Sequence, residues 1–92
     1  MPSDRLDLRV VARFLDALVG PDGAGRPLSR SRLQLAARVN YDIYRTYEAA
    51  LAQRGLLTLD GEPATATITA RGLEVRQRLL RLLADVLGSG SL

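Results

Sequence analysis

The sequence predicts a mainly α protein with a small β-hairpin, an α+β fold whose elements run α-α-α-β-β-α. Three observations carry this prediction. Apolar residues recur at helical spacing from Leu8 to Leu18. Two short helical segments then follow, separated by a brief turn at Val39 and Asn40. After Gly55 the hydrophobic period switches to two across "LLTLDGEPATATIT", the patterning of a hairpin. A chain of 92 residues suits one domain, expected over 1–87, with "GSGSL" as a flexible tail over 88–92.

The first helix is expected over 4–19. Asp4 can cap it, and Asp7 reinforces its first turn near the positive end of the dipole. Leu8, Val11, Phe14, Leu15 and Leu18 form its buried stripe. "GPDGAGRP" is a loop by its glycines and prolines, and no strand precedes it, as a phosphate-cradling turn requires. Ser29 is the expected N-cap of a second helix over 30–38, burying Leu33, Ala36 and Ala37. Asn40 caps a third over 41–54, which Gly55 terminates. These two helices and their turn form a helix-turn-helix unit.

The hairpin places Leu57 and Leu59 on one face and turns at "DGEP". It returns with Ala64, Ala66 and Ile68 inward and Thr65, Thr67 and Thr69 outward. Pro63 suits an edge or a strand start. Thr69 then caps the last helix, over 70–87.

Composition narrows the function. There is no cysteine and no histidine, which removes disulfides, thiol nucleophiles, structural zinc and imidazole bases together. No two carboxylates sit in an acid/base context, so no enzyme, metal, cofactor or small-molecule ligand is expected. Neither a leader-like N-terminus nor an apolar run of about 18 residues is visible, so a soluble, cytoplasmic protein is expected. The net charge of +3 is unevenly spread: Arg26, Arg30, Arg32, Arg38 and Arg45 stand against Asp42 alone over 23–45. A basic block of this kind can attract phosphate; it is also what a solvated face of an arginine-rich protein looks like.

All three tyrosines fall in the third helix, at 41, 44 and 47. On a helical wheel Tyr44, Tyr47 and Leu51 lie within about 60° of one another, so that sector packs inward. Tyr41 stands at its edge, where its hydroxyl can turn to the core rim or to a phosphate. The opposite sector holds Asp42, Arg45, Thr46, Ala49 and Gln53. Such a face suits a major groove, where arginine reads guanine and small side chains meet a thymine methyl; an ordinary exposed helix side has the same composition.

The stretch "YDIYRTYEAALAQRGLL" followed by "ATITARGLE" resembles the small winged-helix DNA-binding proteins abundant in archaea and also found in bacteria. The matching positions are Tyr41, Tyr44, Tyr47, Leu51, Gly55-Leu56-Leu57, and Thr69 with Gly72, so the resemblance spans about 28–87. It implies a recognition helix over 41–54, a wing over 57–69 beside the DNA backbone, and a dimer interface on the last helix. Two positions depart from the pattern. Glu48 stands where an apolar residue is usual, and the wing tip, Asp60 to Pro63, is acidic. A wing that grips phosphate should be basic, so the outer threonines Thr65 and Thr67 are the expected contacts there.

The last helix carries Leu73, Val75, Leu79, Leu80, Leu82, Leu83, Val86 and Leu87 over about half its circumference. Packing on one domain needs a stripe only about 100° wide. The excess predicts a second copy of the chain on Leu79, Leu80, Leu82, Leu83, Val86 and Leu87.

Together these features predict a homodimeric transcriptional regulator binding double-stranded DNA, nucleoid-associated and away from membranes. Asp42, Ile43, Arg45 and Thr46 are the expected base contacts, and Ser29, Arg30, Ser31, Arg32 and Tyr41 join Thr65 and Thr67 on the backbone. Two other readings stand beside it: a winged-helix protein-interaction module that leaves DNA alone, and a sequence-neutral architectural binder.

Overall fold

The computed structural model describes residues 6–88, with side chains as far as residue 86. Its elements are α1 (Leu8–Val19), β1 (Leu28–Ser29), α2 (Arg30–Ala37), α3 (Tyr41–Gln53), β2 (Leu57–Asp60), β3 (Thr65–Ile68) and α4 (Ala70–Leu83). A π-helical turn, Ala84–Gly88, continues α4. The order read from the sequence is present, with one short strand added between the first two helices.

α1 begins at Leu8 rather than near Asp4, because Asp7 is its cap. The Asp7 carboxylate accepts the Arg9 N–H at 2.8 Å, and its backbone N–H donates to the Tyr47 hydroxyl, also at 2.8 Å. An extended residue with both groups so committed starts the helix there. The expected role of Asp4 and most of the expected tail lie outside the described residues. Leu8, in the first turn, is exposed, while Val10 and Val19 widen the buried stripe of Val11, Phe14, Leu15 and Leu18.

α2 ends at Ala37, one residue early, because Arg38 takes up a left-handed conformation, φ 61°, and closes the helix. Leu33 and Ala37 are buried, but Ala36 faces solvent. Asn40 caps α3, accepting the Ile43 N–H at 2.8 Å, and the chain leaves α3 through Gly55 at φ 74°. A left-handed residue is what lets the chain turn sharply into β2, and glycine takes it without a Cβ penalty.

The three strands form an antiparallel sheet in the order β1-β3-β2. Leu57 pairs with Ile68 and Leu59 with Ala66, which brings the predicted apolar face together; Leu28 pairs with Ala66 from the other side. Thr65 and Thr67 lie on the central strand, on the sheet face opposite Ala66, and are half-buried there. Pro63 sits in the turn between β2 and β3.

α4 is shorter than expected as an α-helix, giving way to the π turn after Leu83. Leu79 is buried in the domain's own core and leaves the set expected to meet a second copy. Leu80, Leu82 and Val86 are exposed and Leu83 half-buried; the side chain of Leu87 lies outside those described. No described helix is long and apolar enough to cross a membrane.

One junction ties the two halves of the fold together. The Thr69 hydroxyl donates to the Gly55 carbonyl at 2.6 Å and accepts the Gly72 N–H at 2.9 Å. The same residue's N–H donates to the Leu56 carbonyl at 3.1 Å. Gly72 is buried, and a Cβ there would meet the Leu56 carbonyl oxygen and the Ile68 side chain. Backbone cannot give way as a side chain can. Gly72→Ala should therefore lower stability by about 1–3 kcal/mol, read as an earlier urea-denaturation midpoint; an unchanged midpoint would show that α4 is free to shift outward.

Candidate nucleic-acid interface

The orientation of α3 is fixed from its buried side. Tyr44 and Tyr47 both stack on Phe14 of α1, with ring centroids 5.6 and 5.7 Å away and planes 20° and 17° apart. Leu51 continues the same face and is fully buried. The Tyr47 hydroxyl accepts the Asp7 N–H, so even its polar end is tied to α1.

Glu48 is the residue that reading the sequence as an amphipathic helix overlooks. It is 6% exposed, and it is the buried charged residue of the described core. Its wheel position, about 40° from Tyr44, was the available signal. Its partner on another helix was not predictable from spacing. Arg30, the first residue of α2, donates from Nε and Nη2 to the two Glu48 oxygens at 3.0 and 3.2 Å. The Tyr44 hydroxyl donates to Glu48 Oε2 at 2.6 Å. Burial, the bond to Glu48 and its negative charge together hold the Tyr44 hydroxyl well above the usual tyrosine range. The bond to Glu48 and its charge likewise raise the Arg30 guanidinium.

With that side buried, the opposite face of α3 meets solvent. Asp42, Ile43, Arg45, Thr46, Ala49 and Gln53 are all exposed. Tyr41 is 58% exposed, and the Arg45 guanidinium lies over its ring at 5.9 Å from the centroid. That contact is within cation–π range and restrains Arg45 on the helix surface. The Thr46 hydroxyl donates to the Asp42 carbonyl at 3.2 Å, a bond it can exchange for another acceptor.

Among solved structures the chain is similar to Sso10a-2, a DNA-binding protein from Sulfolobus solfataricus. The match has a TM-score of 0.77, covers 95% of this chain and 87% of that one, and has 18% sequence identity. The fold is a winged helix. The sequence matches no family model and no curated protein. At such low identity the likeness speaks to the fold, and the chemistry of the face must come from this chain's own residues.

In the winged helix the four expected base contacts, Asp42, Ile43, Arg45 and Thr46, share one exposed helix face. The expected backbone contacts are more dispersed. Ser31 and Arg32 are exposed in the first turn of α2, where Ser29 serves as its cap and accepts the Arg32 N–H at 3.2 Å. Arg30 is engaged with Glu48. Thr65 donates to the Asp60 carbonyl at 3.4 Å, and Thr67 pairs across the ladder with Thr58. The wing tip, Asp60 to Pro63, is exposed and acidic.

The basic block seen in the sequence is partly neutralised. Arg26 pairs with Asp22 at 2.8 Å and Arg30 with Glu48 at 3.0 Å. Among the described residues of the block, Arg32, Arg38 and Arg45 form no ion pair. Within the block, the charge left for a phosphate therefore lies on α2, the turn and α3.

Removing the Tyr44 hydroxyl tests how Glu48 is held. Tyr44→Phe should cost about 1.5–3 kcal/mol at neutral pH, since the lost bond is to an ionised group. The sign of its pH dependence follows from the raised folded value. The contribution is fully present below the ordinary tyrosine value of about 10 and fades as pH rises beyond it. Urea titrations of both proteins at pH 7 and in the alkaline range measure this; equal stability at pH 7 would mean that Glu48 needs only Arg30.

Proposed function

We propose that this protein is a homodimeric, sequence-specific DNA-binding protein, a transcriptional regulator that reads the major groove with α3. The observation that carries the reading is the division of α3 into two faces. Tyr44 and Tyr47 are spent on the core, leaving Tyr41, Asp42, Ile43, Arg45 and Thr46 in solvent beside unpaired Arg32 and Arg38. Arg45 would read guanine and Ile43 a thymine methyl, while Ser29, Ser31, Arg32 and Tyr41 set the register on the backbone. The fold shared with a DNA-binding protein supports this reading, and a cytoplasmic, nucleoid-associated location would follow from it.

The dimer reading rests on α4. Leu73 and Leu80 are 42% and 43% exposed, and with Gln77 between them they have the four-then-three spacing of a heptad seam. An antiparallel pair centred between Gln77 and Leu80 sets each Leu80 beside the other copy's Gln77. It also sets Glu74 beside Arg81, opposite charges on the flank of the seam. Leu83 borders the seam, whereas Leu82 and Val86, about 200° and 240° around the helix from Leu80, lie off it. Two such subunits would place their α3 helices on half-sites about one helical turn apart.

The acidic wing tip favours one alternative, a winged-helix module that docks on another protein. A single titration separates the two. Binding to a random-sequence duplex should weaken steeply with salt, and Arg32→Ala should lower the salt slope by about 1 on every sequence. On a duplex selected from a random pool, Arg45→Ala should cost about 1–3 kcal/mol while leaving random duplex nearly unaffected. Absence of binding at low salt would hand the function to the protein-docking reading. An equal Arg45→Ala effect on all sequences would make the protein an architectural binder. Light scattering should return twice the 10.0 kDa chain mass, and Leu80→Glu the single mass; a monomeric wild type contradicts the dimer.

A further inference from the structure

The cluster of Arg30, Glu48 and Tyr44 is hard to explain by cohesion alone. Burying a carboxylate carries a desolvation penalty that its partners only offset, and an apolar residue of similar volume commonly serves stability as well or better. Glu48 shares the inward sector of α3 with Tyr44 and Leu51, where such a residue would fit the pattern. What the acid adds is orientation.

A guanidinium offers five N–H donors in one plane. Glu48 takes two of them, from Nε and Nη2, along one edge. The other three, two on Nη1 and one on Nη2, have no acceptor among the described residues, and the Arg30 side chain is 53% exposed. The plane is thus fixed on its inner edge and open on its outer one. An open pair of parallel N–H groups matches two oxygens of a phosphate. Arg30 also begins α2, next to the exposed Ser31 and Arg32. Its rotamer freedom is lost on folding, so little remains to be lost on binding.

We propose that Glu48 is a positioning residue: it holds Arg30 with its free edge turned outward to a backbone phosphate of the DNA that α3 reads. This rests on the DNA-binding reading above, and it makes a prediction of opposite sign to simple electrostatics. Removing a negative charge beside a DNA-binding face should tighten binding if charge alone mattered. Positioning predicts that binding weakens.

The test uses the full chain and a fluorescent random-sequence duplex over a salt series. Glu48→Leu and Arg30→Ala should each weaken binding about tenfold at low salt, the worth of one charge-assisted contact. The two effects should not add: Arg30→Ala in the Glu48→Leu background should change affinity less than about twofold. Arg30→Lys should behave like Arg30→Ala, because lysine keeps the charge but cannot bond Glu48 and phosphate on two fixed edges. Unchanged or tighter binding by Glu48→Leu overturns the proposal, and so do additive effects. If Glu48→Leu fails to give the wild-type circular dichroism spectrum, Arg30→Lys decides alone: wild-type affinity there overturns the positioning role. A wild type that binds no duplex removes this proposal together with the DNA-binding reading. A wild type that binds while the variants show no coupling removes this proposal only.

Discussion

The stacking of Tyr44 and Tyr47 on Phe14 is the contact on which the rest of the fold depends. It joins the middle of α1 to the first half of α3 and fixes how α3 is rotated about its own axis. Aromatic pairs in this geometry are worth about 0.5–1.5 kcal/mol each beyond the area they bury. More important than the energy is the constraint. A helix turned by one residue, about 100°, would bring Arg45 toward the core and put a tyrosine in solvent. With Phe14 holding both rings, the solvent face of α3 has one possible membership: Asp42, Ile43, Arg45, Thr46, Ala49 and Gln53.

Polar bonds then refine what the rings establish. The Tyr47 hydroxyl reaches the backbone of Asp7, the cap of α1, so the start of one helix is registered against the middle of another. The Tyr44 hydroxyl reaches Glu48, which reaches Arg30, the start of α2. Arg76 of α4 closes the other side, donating from Nε and Nη2 to Asp16 of α1 at 3.0 and 2.7 Å. Surface pairs such as Arg26 with Asp22 and Arg78 with Glu74 add little, being exposed on both sides. The described core has no buried side-chain polar atom without a partner, so the desolvation of each buried hydroxyl and of the buried carboxylate is offset by a bond that also orients it.

Much of this was legible in the sequence because it depends on local chemistry. The caps at Ser29, Asn40 and Thr69, the glycine after α3 and the alternation of the hairpin are all signals within a few residues. The inward tyrosines followed from their phase with Leu51. What escaped was non-local. β1 is two residues long, too short to show a period, and exists only because β3 is there to pair with it. Glu48 was marked as a departure from a familiar pattern, but its burial depends on an arginine 18 residues away on another helix. Leu79 could not be told from Leu80 by composition; only the packing of α4 on α1 separates the buried one from the exposed one. The early start expected for α1 failed for the same reason, since Tyr47 helps choose Asp7 as the cap.

In the proposed function α3 is the reading element and the acidic wing tip is idle. The most direct test of that claim is a chemical-shift map of the amide resonances as duplex DNA is added. The largest changes should fall on Asp42, Ile43, Arg45 and Thr46 and on Ser31 and Arg32, with Asp60, Gly61 and Glu62 nearly still. Large changes centred on the wing tip, with α3 unmoved, would contradict it.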